Sequence, residues 1–163
     1  MAVAVWHKGE VPTDILIRQV YGILFSHDGH ILLFKDRNSY SLAGGTPELY
    51  DKNVEETLRR ELIEEVNVLI DTPHIVGYRL IDEENGTELY AQLRMTALIN
   101  EIKPSQPDPA TGRIYERYLV SPSKAIELLN WQDDGEAQIY SAVEIAKEQL
   151  KILWSSDDTI LAI

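Results

Sequence analysis

The sequence lacks cysteine entirely and is poor in positive charge, with 15 lysines and arginines against 27 aspartates and glutamates among 163 residues. Without cysteine there is no disulfide scaffold, no cysteine-bound zinc or iron–sulfur centre and no thiol nucleophile. The formal net charge of −12 argues against a role on duplex nucleic acid and against binding to an anionic membrane surface. It leaves room for a small phosphorylated ligand, because a divalent metal inverts the local field.

The sequence also lacks long apolar runs. None reaches the roughly 20 residues that cross a bilayer, and the first residues lack the basic start and long apolar stretch of a secretory signal. We therefore expect a cytoplasmic protein without a membrane partner. Its 44% hydrophobic and 26% charged residues are typical of a globular domain. We expect a single domain over residues 1–163, with residues 1–11 as an N-terminal extension and residues 151–163 as a tail without assigned structure.

Strand-like segments dominate, with one early helix and two late ones. β-branched and aromatic residues over 14–25 predict a strand, and an Asp-Gly turn predicts that residues 31–35 return antiparallel to it. Further strands are predicted over residues 74–81, 88–99 and 113–120. Helices are predicted over residues 54–66, with Asn53 as N-cap and Asn67 as a left-handed end, 121–129 and 133–150. This order predicts an α/β (α+β) fold with a mixed sheet and helices on its faces.

An acidic cluster stands out on the first predicted helix. Glu61, Glu64 and Glu65 share one helical face because residues three and four apart are neighbours. As a solvated, salt-bridged face this pattern costs only about 0.2–0.5 kcal/mol per like-charge pair, so that interpretation stays open. The other interpretation is a hard-cation site, since Mg²⁺ and Mn²⁺ take carboxylate and phosphate oxygens. The neighbouring Gly44-Gly45 pair lets a backbone carbonyl approach closely.

The spacing of these residues resembles the signature box of the Nudix hydrolases (MutT-like). Gly45, Asp51 and the run Arg-Glu-Leu-Ile-Glu-Glu over residues 60–65 follow that pattern. Three positions depart from it. Eight residues rather than seven separate Asp51 from Arg60, Asn67 replaces the closing glycine, and Ala43 replaces a proline often found before the glycine pair.

The resemblance implies a Nudix-like α/β/α sandwich with a mixed sheet, covering most of the chain. It implies a divalent-metal-dependent hydrolase, with Mg²⁺ or Mn²⁺, that cleaves the pyrophosphate bond of a nucleoside diphosphate linked to another group. The partner is then a small-molecule nucleotide, and a homodimer is compatible. By resemblance, Glu61, Glu64 and Glu65 bind the metal together with the Gly45 backbone carbonyl. Glu61, Glu64 and Arg60 form the catalytic set, in which Arg60 orients the carboxylates through ion pairs and one carboxylate also acts as a base.

Weaker candidates lie outside the box. Among the acids that flank the long loop, Glu101, Asp108 and Glu116, we take Glu116 as the first choice for a further metal ligand. Five side chains are candidates for substrate contact: Lys35 and Arg37 for a phosphate, Tyr40 for stacking on a base, and Arg18 and Arg94 as cations in the middle of strands. For Lys35, Arg37 and Tyr40 an ordinary surface or packing role is at least as good an interpretation, whereas Arg18 and Arg94 are candidates because a buried cation needs a partner.

Three functional hypotheses follow. The first is the pyrophosphohydrolase. The second is a non-catalytic Nudix-fold module that binds or senses a nucleotide, which the irregular box motivates. The third is a structural or interaction domain whose acidic helix is a solvated face. Nucleotide sugars, dinucleoside polyphosphates, ADP-ribose and oxidised nucleoside triphosphates are all compatible substrates.

Overall fold

A computed structural model of the chain describes residues 2–131 and 134–163. The strands are β1 (Val3–Lys8), β2 (Leu16–Phe25), β3 (Ile31–Asp36), β4 (Ser39–Ser41), β5 (Gly44–Gly45), β6 (Val68–Ile70), β7 (His74–Asp82), β8 (Tyr90–Ile102), β9 (Glu116–Val120) and β10 (Leu161–Ala162). The helices are α1 (Val54–Glu65), α2 (Pro122–Leu129) and α3 (Gly135–Gln149).

The strands form a mixed sheet. Its order is β1-β7-β8-β2-β3-β9-β10, with β4 paired to β3, β5 to β2 and β6 to β8. The central pair β2 and β8 is parallel, with Val20 opposite Leu93 and Tyr21 opposite Arg94. The other pairs are antiparallel. The mixed sheet expected from the order of elements is confirmed.

Helices cover the sheet on both faces. Alternation along β2 turns Val20 and Leu24 toward α1, and turns Ile23 and Phe25 toward α3. Leu58, Leu62 and Val66 complete the first layer of the core from α1. Residues of α2 and α3 complete the second layer: Ala125, Leu129, Ile139, Ala142 and Ala146. The structure is therefore the expected α/β/α sandwich, in which each helix buries one apolar stripe against the sheet.

Local capping fixes the ends of α1. The Asn53 side chain accepts a hydrogen bond from the backbone N–H of Glu56 at 2.9 Å, as expected for an N-cap. The helix ends at Glu65, and Asn67 adopts φ 51°, the left-handed conformation expected where a glycine often ends a helix. The buried Arg117 donates to the carbonyl of Val66 at 2.8 Å. These contacts hold the acidic end of α1 at a fixed place on the sheet.

The chain ends and several boundaries differ from the sequence-based expectations, among them β8, which runs to residue 102 instead of 99. Residues 3–8, expected in an extension, form β1, which pairs with β7 and is an edge strand of the sheet, and residues 161–162 of the tail pair with β9. Both pairings join segments far apart in sequence, which local patterns do not reveal. The last long strand begins at residue 116, because the hydrogen bond from Asp108 N to Arg113 O closes a turn before it. Helix α3 begins at residue 135, and residue 133 of the predicted helix lies outside the described residues.

Among the described residues, no helix combines the length and hydrophobicity needed to cross a membrane.

Candidate active site

A glycine pair places backbone directly against the acidic face of α1. Gly44 pairs with Tyr21 of β2, and its N–H donates to Glu65 Oε1 at 2.8 Å. A Cβ atom added at Gly45 would lie 2.4 Å from Glu61 Cδ. A side chain at position 45 would therefore take the space that the Glu61 carboxylate occupies, so glycine is required for this approach.

Arg60 ties the carboxylates together. Its Nη1 donates to Glu61 Oε1 at 3.0 Å and to Glu64 Oε2 at 3.3 Å. Its Nη2 donates to the carbonyl of Thr46 at 3.1 Å. The structure thus brings the predicted catalytic residues together and orients Glu61 and Glu64 through one guanidinium.

Asp51 holds the other side of that guanidinium. Arg60 Nε donates to Asp51 Oδ1 at 3.1 Å, and Nη2 donates to Asp51 Oδ2 at 2.9 Å. The same carboxylate accepts from Glu48 N and from Thr57 Oγ1. These hydrogen bonds, led by the one from Arg60, hold the pKa of Asp51 well below its usual range. The additional residue of the box is therefore accommodated in the loop before α1, and Asp51 still reaches the arginine.

We expect Asp51→Asn to weaken the site without touching a carboxylate of the acidic face. Asparagine keeps the shape of the side chain but loses the charge that holds the Arg60 guanidinium (the Arg60 fork) in place. Losing a residue that orients a metal ligand without touching the metal typically costs about 10–100-fold in activity or metal affinity. Steady-state kinetics and Mn²⁺ titration measure the effect. Asp36→Asn is the matched control, since Asp36 pairs with Arg113 at 2.8 Å outside the site. Wild-type kinetics in Asp51→Asn would exclude this positioning role.

Burial and mutual repulsion perturb the carboxylates themselves. Burial, followed by the charges of Glu61, Asp108 and Glu64, raises the pKa of Glu65 to about 8 against the hydrogen bond from Gly44. Burial also raises the pKa of Glu61, although the hydrogen bond from Arg60 opposes it. The negative charge is therefore disfavoured on two carboxyl groups that lie beside a third. A bound cation would offset this repulsion and stabilise the ionised forms.

The raised pKa of Glu65 predicts how metal-free stability depends on pH. The carboxyl binds its proton more tightly in the folded than in the unfolded chain, so stability falls as pH rises from about 4.5 to about 8. Glu65→Gln removes this loss and keeps an acceptor for Gly44 N–H. We expect the variant to be more stable than the wild type at pH 8 by about 1–3 kcal/mol and nearly equal at pH 5. Urea denaturation in chelator at both pH values measures this, with Glu56→Gln as control. An unchanged pH dependence in Glu65→Gln would contradict it.

Of the three acids expected near the long loop, Asp108 is the one whose charge acts on the acidic face of α1. Asp108 is buried, and its charge raises the pKa values of Glu61 and Glu65. Glu116, the first choice from the sequence, is exposed and lies opposite Lys35 in the β3–β9 pairing. The sequence signal for Asp108 is its position between Pro107 and Pro109, which restrict the backbone on both sides.

Three of the other substrate candidates lie in the β3–β4 hairpin. Lys35 lies over the Tyr40 ring at 5.4 Å, and that ring packs against Tyr118 at 5.7 Å. Arg37 is exposed with φ 59° in the turn between β3 and β4. Arg18 is exposed and lies over the Tyr90 ring at 4.4 Å. Lys35, Arg37 and Tyr40 therefore lie together in one hairpin, whereas Arg18 contacts Tyr90 at the start of β8.

Arg94 is the candidate that the structure places in a cavity. The cavity has a volume of about 200 Å³ and is lined by Tyr21, Ser41, Leu42, Gln92, Arg94 and Trp131. It lies on the α3 side of the sheet, where Tyr21 separates it from the glycine pair. The lining by Tyr21 and Trp131 had no signal in the sequence, because neither residue belongs to a motif.

The donor set suits a hard divalent cation. It consists of the carboxylates of Glu61, Glu64 and Glu65 with the nearby backbone of Gly45, and oxygen donors of this kind are what Mg²⁺ and Mn²⁺ take. Glu61 lies so close to Gly45 that a Cβ atom at position 45 would occupy the space of its carboxylate. As placed, with Arg60 and Gly44 N–H engaging these carboxylates, no three acidic or histidine side chains within residues 2–131 and 134–163 stand ready to ligate a metal together. Each of these carboxylates keeps lone pairs beyond those that Arg60 and Gly44 N–H engage, and a cation would take these.

Comparison with known families agrees with this geometry. The model of the NUDIX domain family matches residues 16–161, which is most of the chain. The chain belongs to the NUDIX domain family. Membership confirms the resemblance drawn from the box and the expected class of enzyme, a Nudix hydrolase. Nudix hydrolases generally use divalent metal ions. No curated protein sequence matches the chain.

Several solved structures share the Nudix fold. The pyrophosphohydrolase BsRppH of Bacillus subtilis has a TM-score of 0.66 at 14% identity, over 90% of this chain and 91% of its own. A MutT protein from Bacillus halodurans has a TM-score of 0.55 at 22% identity, over 76% and 80%. The NUDIX domain of Shewanella oneidensis NrtR, solved with ADP ribose, has a TM-score of 0.59 at 18% identity, over 80% and 88%. At these identities the likeness shows a shared fold.

Proposed function

We propose that this Nudix protein hydrolyses the pyrophosphate bond of a nucleoside diphosphate linked to another group, with Mg²⁺ or Mn²⁺ bound at the acidic face of α1. The observation that carries the proposal is the Arg60 fork. One guanidinium, fixed by Asp51, contacts both Glu61 and Glu64 beside the glycine pair. A solvated salt-bridged face requires neither the buried Asp51 contact nor a glycine at position 45.

We assign a separate role to each residue of the site. Glu61, Glu64 and Glu65, with the Gly45 carbonyl, would hold the metal, which when bound neutralises phosphate charge and acidifies water. Arg60 keeps two of the carboxylates in place while their charges repel each other. Among the carboxylates that pair with Arg60, the carboxylate of Glu64 is the most exposed. Its side chain is 33% accessible, against 14% for that of Glu61. We therefore assign to Glu64 the acceptance of a proton from the attacking water.

A panel of nucleoside diphosphate compounds tests the proposed reaction. The protein is incubated with nucleotide sugars, dinucleoside polyphosphates, ADP-ribose and oxidised nucleoside triphosphates in Mg²⁺, in Mn²⁺ and in chelator. Phosphate released after addition of a phosphatase is the readout. We expect release from at least one compound, with metal only. Absence of release from the whole panel, in protein shown to be folded, would contradict the proposal.

The second candidate is a module that binds a nucleotide without cleaving it. The additional residue between Asp51 and Arg60 motivates it, and the NrtR domain was solved with ADP ribose bound. The retained contact between Asp51 and Arg60 favours the enzyme instead. Binding of a panel compound in Mg²⁺ with no product after long incubation would favour the module.

A further inference from the structure

The cavity beside Tyr21 adjoins the acidic site but lies on the opposite face of the sheet from α1. Tyr21 forms the boundary between them. A Cβ added at Gly44 would lie 2.8 Å from Tyr21 Cδ1, and on the other side the Arg94 guanidinium carbon lies 4.8 Å from the centre of the Tyr21 ring. The Tyr21 ring therefore lies between the glycine pair and Arg94, so the cavity is one side chain away from the glycine pair.

Arg94 is a buried cation that retains a free donor. Its exposure is 4%, and its Nε donates to Gln138 Oε1 at 2.9 Å. Its Nη1 has no hydrogen-bond partner among residues 2–131 and 134–163. Buried donors are nearly always paired, so an unpaired one at the wall of a cavity marks a place for an acceptor from a ligand.

A hydrogen-bonded network holds Arg94 in this orientation. Gln138 Nε2 donates to Asp134 Oδ1 at 2.5 Å, and Arg79 Nε donates to Asp134 Oδ2 at 3.4 Å. Gln92, which also lines the cavity, donates to Gln19 Oε1 at 2.8 Å. Because Gln138 is fixed by Asp134, its oxygen stays directed at Arg94 Nε, and Nη1 remains available.

The walls of the cavity indicate a planar ring. Tyr21 and Trp131 line it, and the Arg94 guanidinium lies 5.4 Å from the Trp131 ring. Its volume of about 200 Å³ is below the roughly 300–1,000 Å³ that whole ligands occupy, so it suits one part of a substrate. Aromatic side chains of this kind stack on nucleobases.

The free N–H donor of Arg94 favours some nucleobases over others. Arginine only donates, so Nη1 requires an acceptor. Guanine presents the acceptors O6 and N7 on one edge, whereas adenine replaces O6 by an amino donor. We propose that this cavity receives the nucleobase of the substrate and that Arg94 is a specificity-determining residue that favours 6-oxopurines over adenine. The inference rests on the proposed function for the position of the phosphates, but base selection itself is measurable without turnover.

Nucleosides test base selection in the absence of phosphate and metal. Calorimetric titrations of the wild-type protein in chelator compare inosine with adenosine. Inosine has an oxygen at purine position 6 and a proton on N1, and adenosine has an amino group at position 6 and none on N1. We expect inosine to bind about tenfold more tightly than adenosine, at the lower end of what a bidentate base contact gives, because the contact is made by one unpaired donor, Nη1. We expect Arg94→Met to reduce the ratio to about one. Arg113→Met is the matched control, since Arg113 is an exposed arginine paired with Asp36, and it should retain the wild-type ratio.

The other possible results of these titrations would overturn the proposal or limit it as follows. Equal binding of both nucleosides, no inosine binding at millimolar concentration, or a wild-type ratio in folded Arg94→Met overturns it. Displacement of inosine by inorganic phosphate also overturns it, because Arg94 would then be a phosphate ligand. If Arg94→Met does not fold, the wild-type ratio alone decides. Metal-dependent turnover of the compound panel without base selection removes only this inference, and base selection without turnover removes only the proposed hydrolysis.

Discussion

Glu64→Gln is expected to lower kcat by about 10²–10⁴-fold, the usual contribution of a positioned acid or base. Glutamine keeps the length of the side chain and an oxygen for Arg60 Nη1, which donates to Glu64 Oε2 at 3.3 Å in the wild type. It removes the negative charge and the ability to accept a proton from water. Steady-state kinetics in Mg²⁺, on the panel compound that the wild type cleaves, measure the change.

Glu56→Gln is the control for this variant. Glu56 lies in the first turn of the same helix and is exposed, so the chemical change is identical but lies away from the glycine pair. We expect wild-type kcat in the control and an unchanged urea midpoint in both variants. Wild-type kcat in Glu64→Gln would remove Glu64 from the mechanism.

The largest expected loss of stability comes from Leu62→Ala. Leu62 is completely buried in the core layer between α1 and the sheet, and shortening such a side chain costs about 2.7–5 kcal/mol through lost transfer energy and the cavity left behind. That is a large part of the roughly 5–15 kcal/mol that stabilises a typical domain. Because Leu62 lies between Glu61 and Glu64 in α1, the acidic face should lose its fixed position together with the core.

Ile63→Ala is the control for Leu62→Ala, because it distinguishes the loss of core packing from a change in helix propensity. Ile63 is the next residue of α1 and is 41% exposed, so its truncation should cost less than about 1 kcal/mol. Urea or thermal unfolding of both variants in chelator gives the comparison. Equal losses in Leu62→Ala and Ile63→Ala would mean that α1 is not packed as described.

The sequence predicted those parts of the fold that depend on local chemistry. The periodicity of Leu58, Leu62 and Val66 gave the buried stripe of α1, and the two asparagines at positions 53 and 67 gave its ends. The acidic face followed from helix geometry, and the approach of backbone followed from the glycine pair. These features are set within about a dozen residues, so a single sequence is enough to predict them.

Features that join distant segments had no such signal. The pairing of β1 with β7 and of β10 with β9 depends on strands brought together only by the folded sheet. The charge of Asp108 acts on Glu61 and Glu65, and Arg117 and Asn67 hold the start of its loop near the end of α1 through Lys103 O and Pro104 O. The cavity at Arg94 combines β2, β8 and the segment before α3, so its aromatic walls were visible only in the structure.

Mn²⁺ binding is the most direct test of the central claim, because it requires no knowledge of the substrate. Water-proton relaxation measures bound Mn²⁺ for the wild type, for a Glu61→Gln/Glu64→Gln double variant and for Glu56→Gln. The account predicts a site in the wild type and in Glu56→Gln, weakened at least tenfold in the double variant, since removing two hard oxygen anions leaves little to replace the hydration of the cation. Equal Mn²⁺ affinity in all three folded proteins, or no binding by the wild type at millimolar Mn²⁺, would show that the acidic face of α1 is a solvated surface.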